Sequence, residues 1–444
     1  MSLKVCKFGG SSVADAAQFR KVLSIVRADP RRRFLVPSAP GKRYAKDQKI
    51  TDLFYLCHAH AQQEIPFDDL FERIAQRYRE IVSELGLKLD LGPHLEGIEQ
   101  RIAGGATSDY AASRGEYLNG LILAEAADYE FIDAAEVIFF DASGRIDREA
   151  TAAAIKPLAG RQGGAVIPGF YGQTPDGNVR TFSRGGSDIS GAIVAAGVGA
   201  AVYENWTDVA GLLMADPRVV ESPRKMDTLT YRELRELAYM GANVLHDEAI
   251  FPVRQAGIPV NIRNTNDPDN PGTMIVPNDA VPSVRTLRQI TGIAGRPDFT
   301  VIAVEKALMN SEIGFGRRLL GVFEDHGVSY EHTPSGIDTM SVVVHDDEIE
   351  GKLDKVLEDI RAVCHPDAID VYPNMALVAT VGRGMAYTPG TAGRLFSALG
   401  QANVNVRMID QGSSELNIIV GVEADDLPRA VRAIYDAFVT GAGE

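Results

Sequence analysis

Short apolar runs that end in glycine and lead into helical patterns open the chain. Residues 3–8 predict a buried strand, and residues 12–27 place apolar side chains at the three- and four-residue spacing of a helix. Ser12 followed three residues later by Asp15 is typical of a helix start. The pair Gly9-Gly10 is therefore predicted to lie in a strand-to-helix turn.

The alternation of strand and helix patterns continues along the first half of the chain. Residues 52–128 are mostly helical in pattern, and residues 163–172 predict a strand with a glycine-rich exit. Residues 181–200 repeat the order strand, glycine-serine turn and helix, and residues 200–213 predict a strand that ends in a polar turn. This order predicts an α/β domain with a largely parallel sheet. Proline-rich residues 264–285 are predicted to be a connector that closes it.

The last third of the chain repeats itself at an offset of 76 residues. FTVIAV (299–304) aligns with MALVAT (375–380), and GFGRRLLGVFEDHGVS (314–329) aligns with GTAGRLFSALGQANVN (390–405). Each copy predicts a strand, a glycine turn, a helix, two strands and a helix, and such repeats stack to bury their sheet faces. The first copy has a further strand, AIDVY (368–372), whereas the second ends after its last helix. We therefore expect the two copies to exchange a strand.

Composition narrows the classes of function. The chain has 444 residues, 45% of them apolar, which is enough for two or three domains with buried cores. Its net charge of −15 argues against binding to nucleic acid or to an anionic membrane. The sequence shows neither a signal peptide nor a long apolar run. Three widely spaced cysteines argue against a disulfide framework, so we expect a cytoplasmic protein.

The first glycine turn has the chemistry of a phosphate site. Lys7 supplies a positive charge at the end of the strand, and Gly9, Gly10 and Ser11 present backbone N–H groups at a helix start. Taken alone, these residues fit a tight turn with a solvated lysine equally well. The spacing of a P-loop or of a dinucleotide-binding turn is missing, because Gly41-Lys42 lacks the first glycine of the P-loop.

A second turn of the same kind, SRGGSD (183–188), favours the phosphate interpretation. Arg184 can bind a carboxylate or a phosphate through two hydrogen bonds, and Ser187 and Asp188 stand at a helix start. Two such turns in one parallel sheet open at the carboxyl ends of the strands, where ligands of α/β proteins bind. One turn would hold nucleotide phosphates, and the other an acidic co-substrate.

The motifs KFGGSSVAD, RGGSD and WTDVAGLLMADPRVV, with the repeat behind them, closely resemble aspartate kinases of the amino-acid kinase superfamily. The likeness covers residues 3 to about 438. It implies transfer of the γ-phosphoryl group of ATP, with Mg²⁺, to the side-chain carboxylate of L-aspartate, the first step toward lysine, threonine and methionine. With no dehydrogenase portion in the sequence, the monofunctional form is expected.

The resemblance also implies a fold and its division. We expect an amino-acid-kinase-like three-layer α/β sandwich over residues 1–285, with a mainly parallel central sheet. Two α+β ACT domains (βαββαβ) are expected at 286–373 and 374–444, with an exchanged strand. ACT sheets have open edges that invite pairing with another copy, so a homodimer through the ACT domains, or a higher homo-oligomer, is expected.

The resemblance assigns roles residue by residue. Lys7, Arg184 and Asp188 would be catalytic. Binding of the nucleotide would fall to Lys7, Gly9, Gly10, Ser11, Thr207, Asp208, Leu213, Arg218 and Asn243. Binding of aspartate would fall to Ser38, Thr51, Glu116, Phe170, Arg184 and Ser187, with Glu116 meeting the amino group and Arg184 a carboxylate. Aspartate is ionised at neutral pH and needs no general base, so the lack of a catalytic histidine is no objection.

The first repeat copy is predicted to hold a regulatory amino acid. The effector residues are Met309, Gly314, Phe315, Ser329, Glu331 and Asp338, of which the resemblance supports Met309, Phe315 and Ser329. A helix N-terminus suits the carboxylate of an amino acid, and two carboxylates favour a cationic side chain, so lysine is the favoured effector. Asn405 and Glu415 hold related positions in the second copy, whose less acidic pocket is expected to be structural.

Two departures from the family pattern keep alternatives open. Asn243 stands in GANVLHD where many members have lysine, and Leu213 replaces a common aromatic residue. Both changes lie on the nucleotide side, and they are the support for a non-catalytic amino-acid sensor of the same fold. An N-acetylglutamate or glutamate kinase is a further alternative, against which the tandem repeat argues. Metal binding by Cys57 and its neighbouring histidines competes with a plain helix surface, which the lack of a second cluster favours.

Overall fold

The chain folds into two compact units. The computed structural model describes residues 2–183, 185–242, 247–280 and 288–441, with only the backbone of Asp247 and Glu248. The first unit comprises Met1–Leu212, Asp227–Tyr231 and Val244–Val281, and the second comprises Leu213–Met226, Arg232–Asn243 and Pro282–Glu444. Within the described ranges, no helix combines the length and the apolar character that a membrane span requires.

The first unit is built on a large sheet. Its strands are β1 (Lys4–Phe8), β2 (Arg32–Pro37), β3 (Glu130–Phe131), β4 (Ala165–Val166), β5 (Tyr171–Gln173), β6 (Val179–Thr181), β7 (Val202–Thr207), β8 (Thr228–Thr230), β9 (Val260–Asn264) and β10 (Thr273–Val276). Eight of them form one sheet in the order β3-β4-β2-β1-β7-β9-β10-β8, and β5 pairs with β6. Within the large sheet β10 runs antiparallel to β9 and the other pairs are parallel.

Helices cover both faces of this sheet. They are α1 (Ala16–Ala28), α2 (Ile50–Gln62), α3 (Asp68–Leu85), α4 (Gly92–Ala103), α5 (Ser108–Ala127), α6 (Arg148–Ile155), α7 (Gly186–Val198) and α9 (Asp247–Gln255). On one face Cys6, Phe8 and Trp206 join a single apolar cluster with side chains of α1 to α5. On the opposite face α7 packs against β1, β2 and α9. The first unit is thus a three-layer α/β sandwich with a mainly parallel sheet.

A buried carboxylate ties three central strands together. Glu204 of β7 is fully buried, with Oε1 2.6 Å from Lys4 Nζ and Oε2 2.8 Å from Arg32 Nε. Trp206 Nε1 donates to the same Oε2 at 2.9 Å. The register between β1 and β2 shifts after Lys4, and such a bulge re-aims side chains. It brings Arg32 to the face that carries Lys4 and Glu204.

The proline-rich stretch at 264–285 is not only a connector. Residues Thr273–Val276 form β10 and extend the large sheet, pairing with β9 on one side and β8 on the other. Ile275 is fully buried, and Thr273 Oγ1 accepts a hydrogen bond from the backbone N–H of Leu212. Turn residues on both sides masked this four-residue strand in the sequence pattern, so the prediction of a connector was wrong for residues 273–276.

The second unit contains a five-stranded antiparallel sheet. Its strands are β11 (Gly292–Glu305), β12 (Thr339–His345), β13 (Ala368–Val381), β14 (Met408–Asp410) and β15 (Asn417–Glu423), in the order β12-β11-β13-β15-β14. Its helices are α8 (Tyr231–Tyr239, from Arg232 onward), α10 (Phe315–Asp325), α11 (Asp346–Ile349), α12 (Leu353–Cys364), α13 (Thr391–Gln401) and α14 (Leu427–Tyr435). A π-helical turn, Asp436–Thr440, follows α14.

Two long strands are shared between the repeat copies. Residues 299–305 of β11 pair with β12 and with residues 368–372 of β13, which completes the first copy. Residues 375–381 of β13 pair with β15 and with residues 292–296 of β11. The second copy thus takes its outer strand from the chain that precedes the first copy. The predicted boundary at 373/374 falls inside β13, and the exact domain boundaries remain a prediction.

The centre of each shared strand has a left-handed residue. Asp298 has a φ of 70° and Asn374 has a φ of 59°, and the pairing of β11 with β13 shifts register between Arg296 and Phe299. The two left-handed positions are separated by the repeat offset of 76 residues and each follows a proline. The repeat is therefore reproduced in the backbone as well as in the sequence.

Replacing Glu204 by glutamine is expected to destabilise the first unit by about 3–5 kcal/mol, because buried Arg32 loses its counter-charge. Lys4 then keeps only its contact with Asp29. Trp206 is the sole tryptophan of the chain and donates to Glu204, so its fluorescence during denaturant unfolding reports this change. Glu130→Gln breaks the exposed pair with Arg161 and is the matched control, with an expected loss below about 1 kcal/mol. Equal losses of unfolding free energy in the two variants would contradict the interpretation that Glu204 holds the central strands together.

The same carboxylate predicts loss of stability in acid. Burial raises the pKa of Glu204, but hydrogen bonds and charges from Arg32 and Lys4 lower it further, so the net pKa lies below its ordinary value. The stabilisation is therefore complete above the ordinary pKa of a glutamate and is lost as pH falls through the lowered one. Glu204→Gln should flatten this part of the stability profile.

Candidate active site

The first glycine turn is anchored at the carboxyl end of the sheet. After β1, the backbone N–H of Gly9 donates to the carbonyl of Trp206 at 2.9 Å, and residues Gly10–Val13 form a short 3₁₀ helix. Ser12 is buried, with its Oγ 2.7 Å from Thr265 Oγ1. Asp15 caps α1 by accepting from the N–H of Gln18. Ser12 therefore does not start the long helix as predicted. It lies in the 3₁₀ helix, and its hydroxyl is hydrogen-bonded to Thr265.

Backbones of two loops touch beside this turn. The N–H of Gly41, in the loop after β2, donates to the carbonyl of Gly10 at 2.9 Å. A Cβ atom on Gly41 would lie 2.6 Å from the carbonyl carbon of Gly10, and one on Gly10 would lie 3.0 Å from the carbonyl oxygen of Ala39. Side chains at these two positions would separate the loops, so glycine is required for their close approach.

Lys7 pairs with Asp188 on the face of the sheet that α7 covers, and Asn205 in turn holds Asp188. The Nζ of Lys7 lies 2.7 Å from Asp188 Oδ1, and Asn205 Nδ2 donates to the same oxygen at 2.8 Å. Lys7 and Asn205 are direct neighbours in the register of β1 and β7, and Asp188 lies in the first turn of α7. Lys7 is buried, and Gly9 lies beside its ammonium group. The ammonium group is thus fixed at the mouth of the glycine turn.

Glu116 presents a buried carboxyl group without a full set of partners. It lies on α5 and is 5% exposed, and its Oε2 makes no hydrogen bond. Burial raises the pKa of Glu116 to about 8, against smaller lowering effects from a backbone hydrogen bond of Ala39 and from the charges of Arg114 and Lys7. A cation delivered to Oε2 would satisfy the orphaned oxygen and favour its ionised form.

Three further predicted residues converge near the ends of β2 and β4. The N–H of Ser38 donates to the carbonyl of Phe8, and Asn119 donates to the carbonyl of Ser38. A Cβ on Gly169 would lie 2.7 Å from that of Ser187. Phe170 has a φ of 80°, an uncommon conformation for a bulky residue, and its N–H donates to Ser190 Oγ. Backbone strain of this kind gathers at ligand sites.

The remaining residues of the predicted site are placed as follows. Thr51 is the second residue of α2, and Thr207 and Asp208 end β7 with their side chains hydrogen-bonded to each other. In the second unit Leu213 is partly exposed, and Arg218 pairs with Asp216 at 2.6 Å. Arg184 and Asn243 lie outside the described residues.

The predicted effector residues divide into two groups along β12. Met309 and Phe315 are buried, Gly314 has a φ of 81° at the start of α10, and Asp338 Oδ1 accepts from the N–H of Leu308. The N–H of Glu331 instead donates to the carbonyl of Val343, which lies five residues after Asp338 along the chain. At about 3.3 Å per residue this separates the two acidic positions by about 16 Å along the strand. Ser329 belongs to the segment of Glu331.

Residues that the motifs did not identify complete the site. Asn205 holds Asp188, Asn119 holds the loop at Ser38, and Ser190 holds Phe170. Two adjacent polar residues, Glu204 and Asn205, inside a buried central strand were a usable signal, since polar side chains are seldom buried without a bonding partner. Across the described parts of the chain, no three His, Cys, Asp or Glu side chains converge as a metal site.

Comparison with known proteins identifies the family of the chain. The sequence model of the amino acid kinase family matches residues 2–264, and that of an ACT domain matches residues 378–438. Aspartokinase 3 of Bacillus subtilis (strain 168) is 40% identical, over 99% of this chain and 99% of its own.

Solved structures extend the comparison to the fold. The aspartate kinase of Clostridium acetobutylicum is 58% identical, with a TM-score of 0.91 over 98% of this chain and 100% of its own. The E. coli aspartokinase III shares the fold, with a TM-score of 0.72 at 24% identity over 98% of this chain and 99% of its own. The chain therefore belongs to the aspartokinase family and phosphorylates aspartate under the regulation of C-terminal ACT domains.

Proposed function

We propose that Lys7, Asp188 and the Gly9–Ser11 turn form the phosphoryl-transfer centre. The observation that carries this is the Lys7 ammonium group, held 2.7 Å from Asp188 beside backbone N–H groups at the carboxyl end of the sheet. The side-chain carboxylate of aspartate would attack the γ-phosphorus of ATP and form an O–P bond, while the bond to the β-phosphate oxygen breaks and ADP leaves. Such transfer depends mainly on alignment and on positive charge around the moving group.

ATP is the phosphoryl donor, and we propose that Mg²⁺ arrives bound to it. Mg²⁺ is usually held by one or two carboxylates together with phosphate oxygens, which fits the exposed carboxylate of Asp208 at the end of β7. The ion would neutralise charge on the phosphates. Thr207, Leu213, Arg218 and Asn243 are proposed to serve the nucleotide, and Arg218 must then exchange its contact with Asp216.

Aspartate is proposed to bind on the side of Glu116. The orphaned Oε2 of Glu116 suits the substrate ammonium group, and Ser38, Phe170 and Ser187 lie on adjoining loops. Thr51 and Arg184 complete the proposed set, with Arg184 pairing with a substrate carboxylate. The E. coli aspartokinase III was solved in complex with aspartate and ADP, which supports the same pair of ligands here.

Lysine is proposed as the effector of the first ACT copy. Burial raises the pKa of Glu331, partly offset by electrostatic interaction with His332 and His345, and a cationic side chain beside it would favour its ionised form. In the second copy, Gln289 Nε2 donates to Thr391 Oγ1 at the start of α13, which supports a structural role for that position. The E. coli aspartokinase III was also solved with lysine and aspartate.

We propose a homodimer through the ACT sheets, with the edge strand β14 as one pairing surface. A cytoplasmic location is proposed as well, supported by Cys6, Cys57 and Cys364, which are free and buried.

Lys7→Ala is expected to lower kcat by about a hundredfold or more, because the moving phosphoryl group loses its positive partner. Steady-state kinetics at saturating ATP and aspartate measure this loss. Lys21→Ala, on the exposed face of α1, is the control and should retain wild-type turnover. Near wild-type turnover of a folded Lys7→Ala enzyme would remove Lys7 from the mechanism.

Aspartate binding is expected to release protons at neutral pH. Glu116, with a pKa of about 8 in the empty site, is mostly protonated there and must ionise to pair with the substrate ammonium group. The value of kcat/KM for aspartate should therefore rise with pH until pH passes about 8. Calorimetry in buffers of different ionisation enthalpy counts the protons released.

Glu116→Gln should abolish this release and weaken aspartate binding by about tenfold or more, because the ammonium group loses its buried counter-charge. Glu125→Gln, on the exposed side of the same helix, is the matched control. Binding by the wild-type enzyme without proton release would show that Glu116 is not the partner of the ammonium group.

Lysine is expected to inhibit the enzyme without changing KM for ATP, since a ligand acts at a distance only by binding one conformation better than another. Glu331→Ala should relieve inhibition, whereas Glu415→Ala in the second copy should not. Inhibition curves with aspartate and ATP varied in turn provide the measurement. An enzyme indifferent to lysine would exclude this effector.

A further inference from the structure

The loop between β2 and α2 connects the two halves of the proposed site. It begins beside the phosphate turn, where Gly41 is hydrogen-bonded to Gly10, and it ends at α2, whose second residue is Thr51. Residues 42–46 between these ends are exposed. The position of Thr51 relative to the phosphate turn therefore depends on what holds this loop at its far end.

One carboxylate makes the best-shielded contact at that end, where Gln48 also accepts a hydrogen bond from Arg73 of α3. Asp47 accepts from Arg77 Nη2 at 2.6 Å and from Arg43 through its backbone N–H and Nε, both at 3.0 Å. The Asp47 side chain is 9% exposed and that of Arg77 is 5% exposed, whereas that of Arg43 is 36% exposed. An ion pair shielded from water is screened far less than an exposed one. The contact with Arg77 is thus the stronger of the two restraints.

Arg77 extends the restraint to the other half of the site. From α3, its Nη1 donates to the carbonyl of Ala14 at 3.1 Å, between the 3₁₀ turn of residues Gly10–Val13 and the cap of α1. One buried guanidinium group thereby joins the end of the phosphate turn to the end of the substrate loop. The two loops are therefore connected at two points: by the hydrogen bond between Gly10 and Gly41, and by Arg77, which binds both Ala14 and Asp47.

Local packing does not replace this contact. A cavity of about 210 Å³ lies beside the pair and is lined by Arg43, Asp47, Gln48, Arg73 and Arg77, among others. Lys49, which precedes α2, offers no side-chain cap to the helix. Breaking the ion pair leaves the exposed hydrogen bond from Arg73 to Gln48 at the loop end. Since the space is open and the helix start is uncapped, this end then has room to move.

We propose that Arg77 and Asp47 are positioning residues for the kinase reaction. Their ion pair sets the place of Thr51 and of the aspartate-side loop relative to the phosphate turn. The proposal rests on the proposed function, because that function assigns Thr51 to aspartate and the glycine turn to ATP.

Asp47→Asn tests the pair by removing the charge while keeping the size of the side chain. KM for aspartate should rise about tenfold and kcat should fall, since misplacement of a binding element by about 1 Å is costly. KM for ATP should stay within about twofold. The glycine turn keeps its own anchors, the bond from Gly9 to Trp206 and the contact between Ser12 and Thr265.

Two further variants separate positioning from folding. Arg43→Gln removes the exposed contact to Asp47 and leaves the buried one, so its kinetic constants should stay within about twofold of wild type. The double variant Arg77→Gln with Asp47→Asn should raise KM for aspartate no further than Asp47→Asn alone, because partners in one contact are not additive. Trp206 fluorescence during unfolding checks that each variant is folded in the assay.

The outcomes decide between the possibilities. A folded Asp47→Asn enzyme with an unchanged KM for aspartate, or an Arg43→Gln enzyme with the same defect, would overturn the proposal. A lower kcat with both KM values unchanged would reduce the pair to a structural role and also overturn it. If Lys7→Ala and Glu116→Gln behave as predicted, such results count against the ion pair alone. Wild-type behaviour of those two variants would count against the proposed function itself.

Discussion

The register between β1 and β7 is the constraint on which the rest of the catalytic unit depends. Side chains of a strand alternate between faces, so Lys4, Cys6 and Phe8 face one helical layer while Lys7 faces the other. Cys6 lies opposite Glu204 and Lys7 lies opposite Asn205. A slip by one residue would move Lys7 into the layer of Glu204 and away from Asp188.

The ion pairs of Glu204 and the contact of Lys7 with Asp188 lie on opposite faces of the sheet, and both depend on the same register between β1 and β7. Burying Glu204 is costly without Arg32 and Lys4, and breaking that set leaves an uncompensated buried charge. This penalty falls on any wrong pairing of β1, β2 and β7. The structural ion pairs on one face therefore hold in place the Lys7 ammonium group on the other, for which we propose the catalytic role.

The regulatory unit depends on a different constraint, the sharing of strands. Residues 292–296 complete the second copy and residues 299–305 begin the first, so the second ACT copy has no complete sheet without the strand that leads into the first. Helix α8 is bound to this assembly: Glu233 accepts from Thr291 Oγ1 at 2.6 Å, and Glu236 accepts from Asn417 Nδ2 at 2.7 Å. Along the chain α8 is soon followed by Asn243, which we propose for the nucleotide side. A change in the shared strands thus has a short covalent route to that segment.

Local patterns in the sequence determined the element types, the strand-to-helix glycine turns, the 76-residue repeat and, through their motifs, the family. These features can be recognised from the sequence because periodicity and turn chemistry depend on residues close together in the chain, and the repeat and the motifs are properties of the sequence itself. The tertiary structure alone decided which groups meet across long separations: Asn205 with Asp188, Arg77 with both Ala14 and Asp47, and Gly10 with Gly41. It also decided that β10 lies inside the proline-rich stretch, that Asp338 and Glu331 lie beside opposite ends of β12, and that Glu116 has a raised pKa. Burial and pairing are properties of what packs on the far side of a residue, and no local pattern encodes that neighbour.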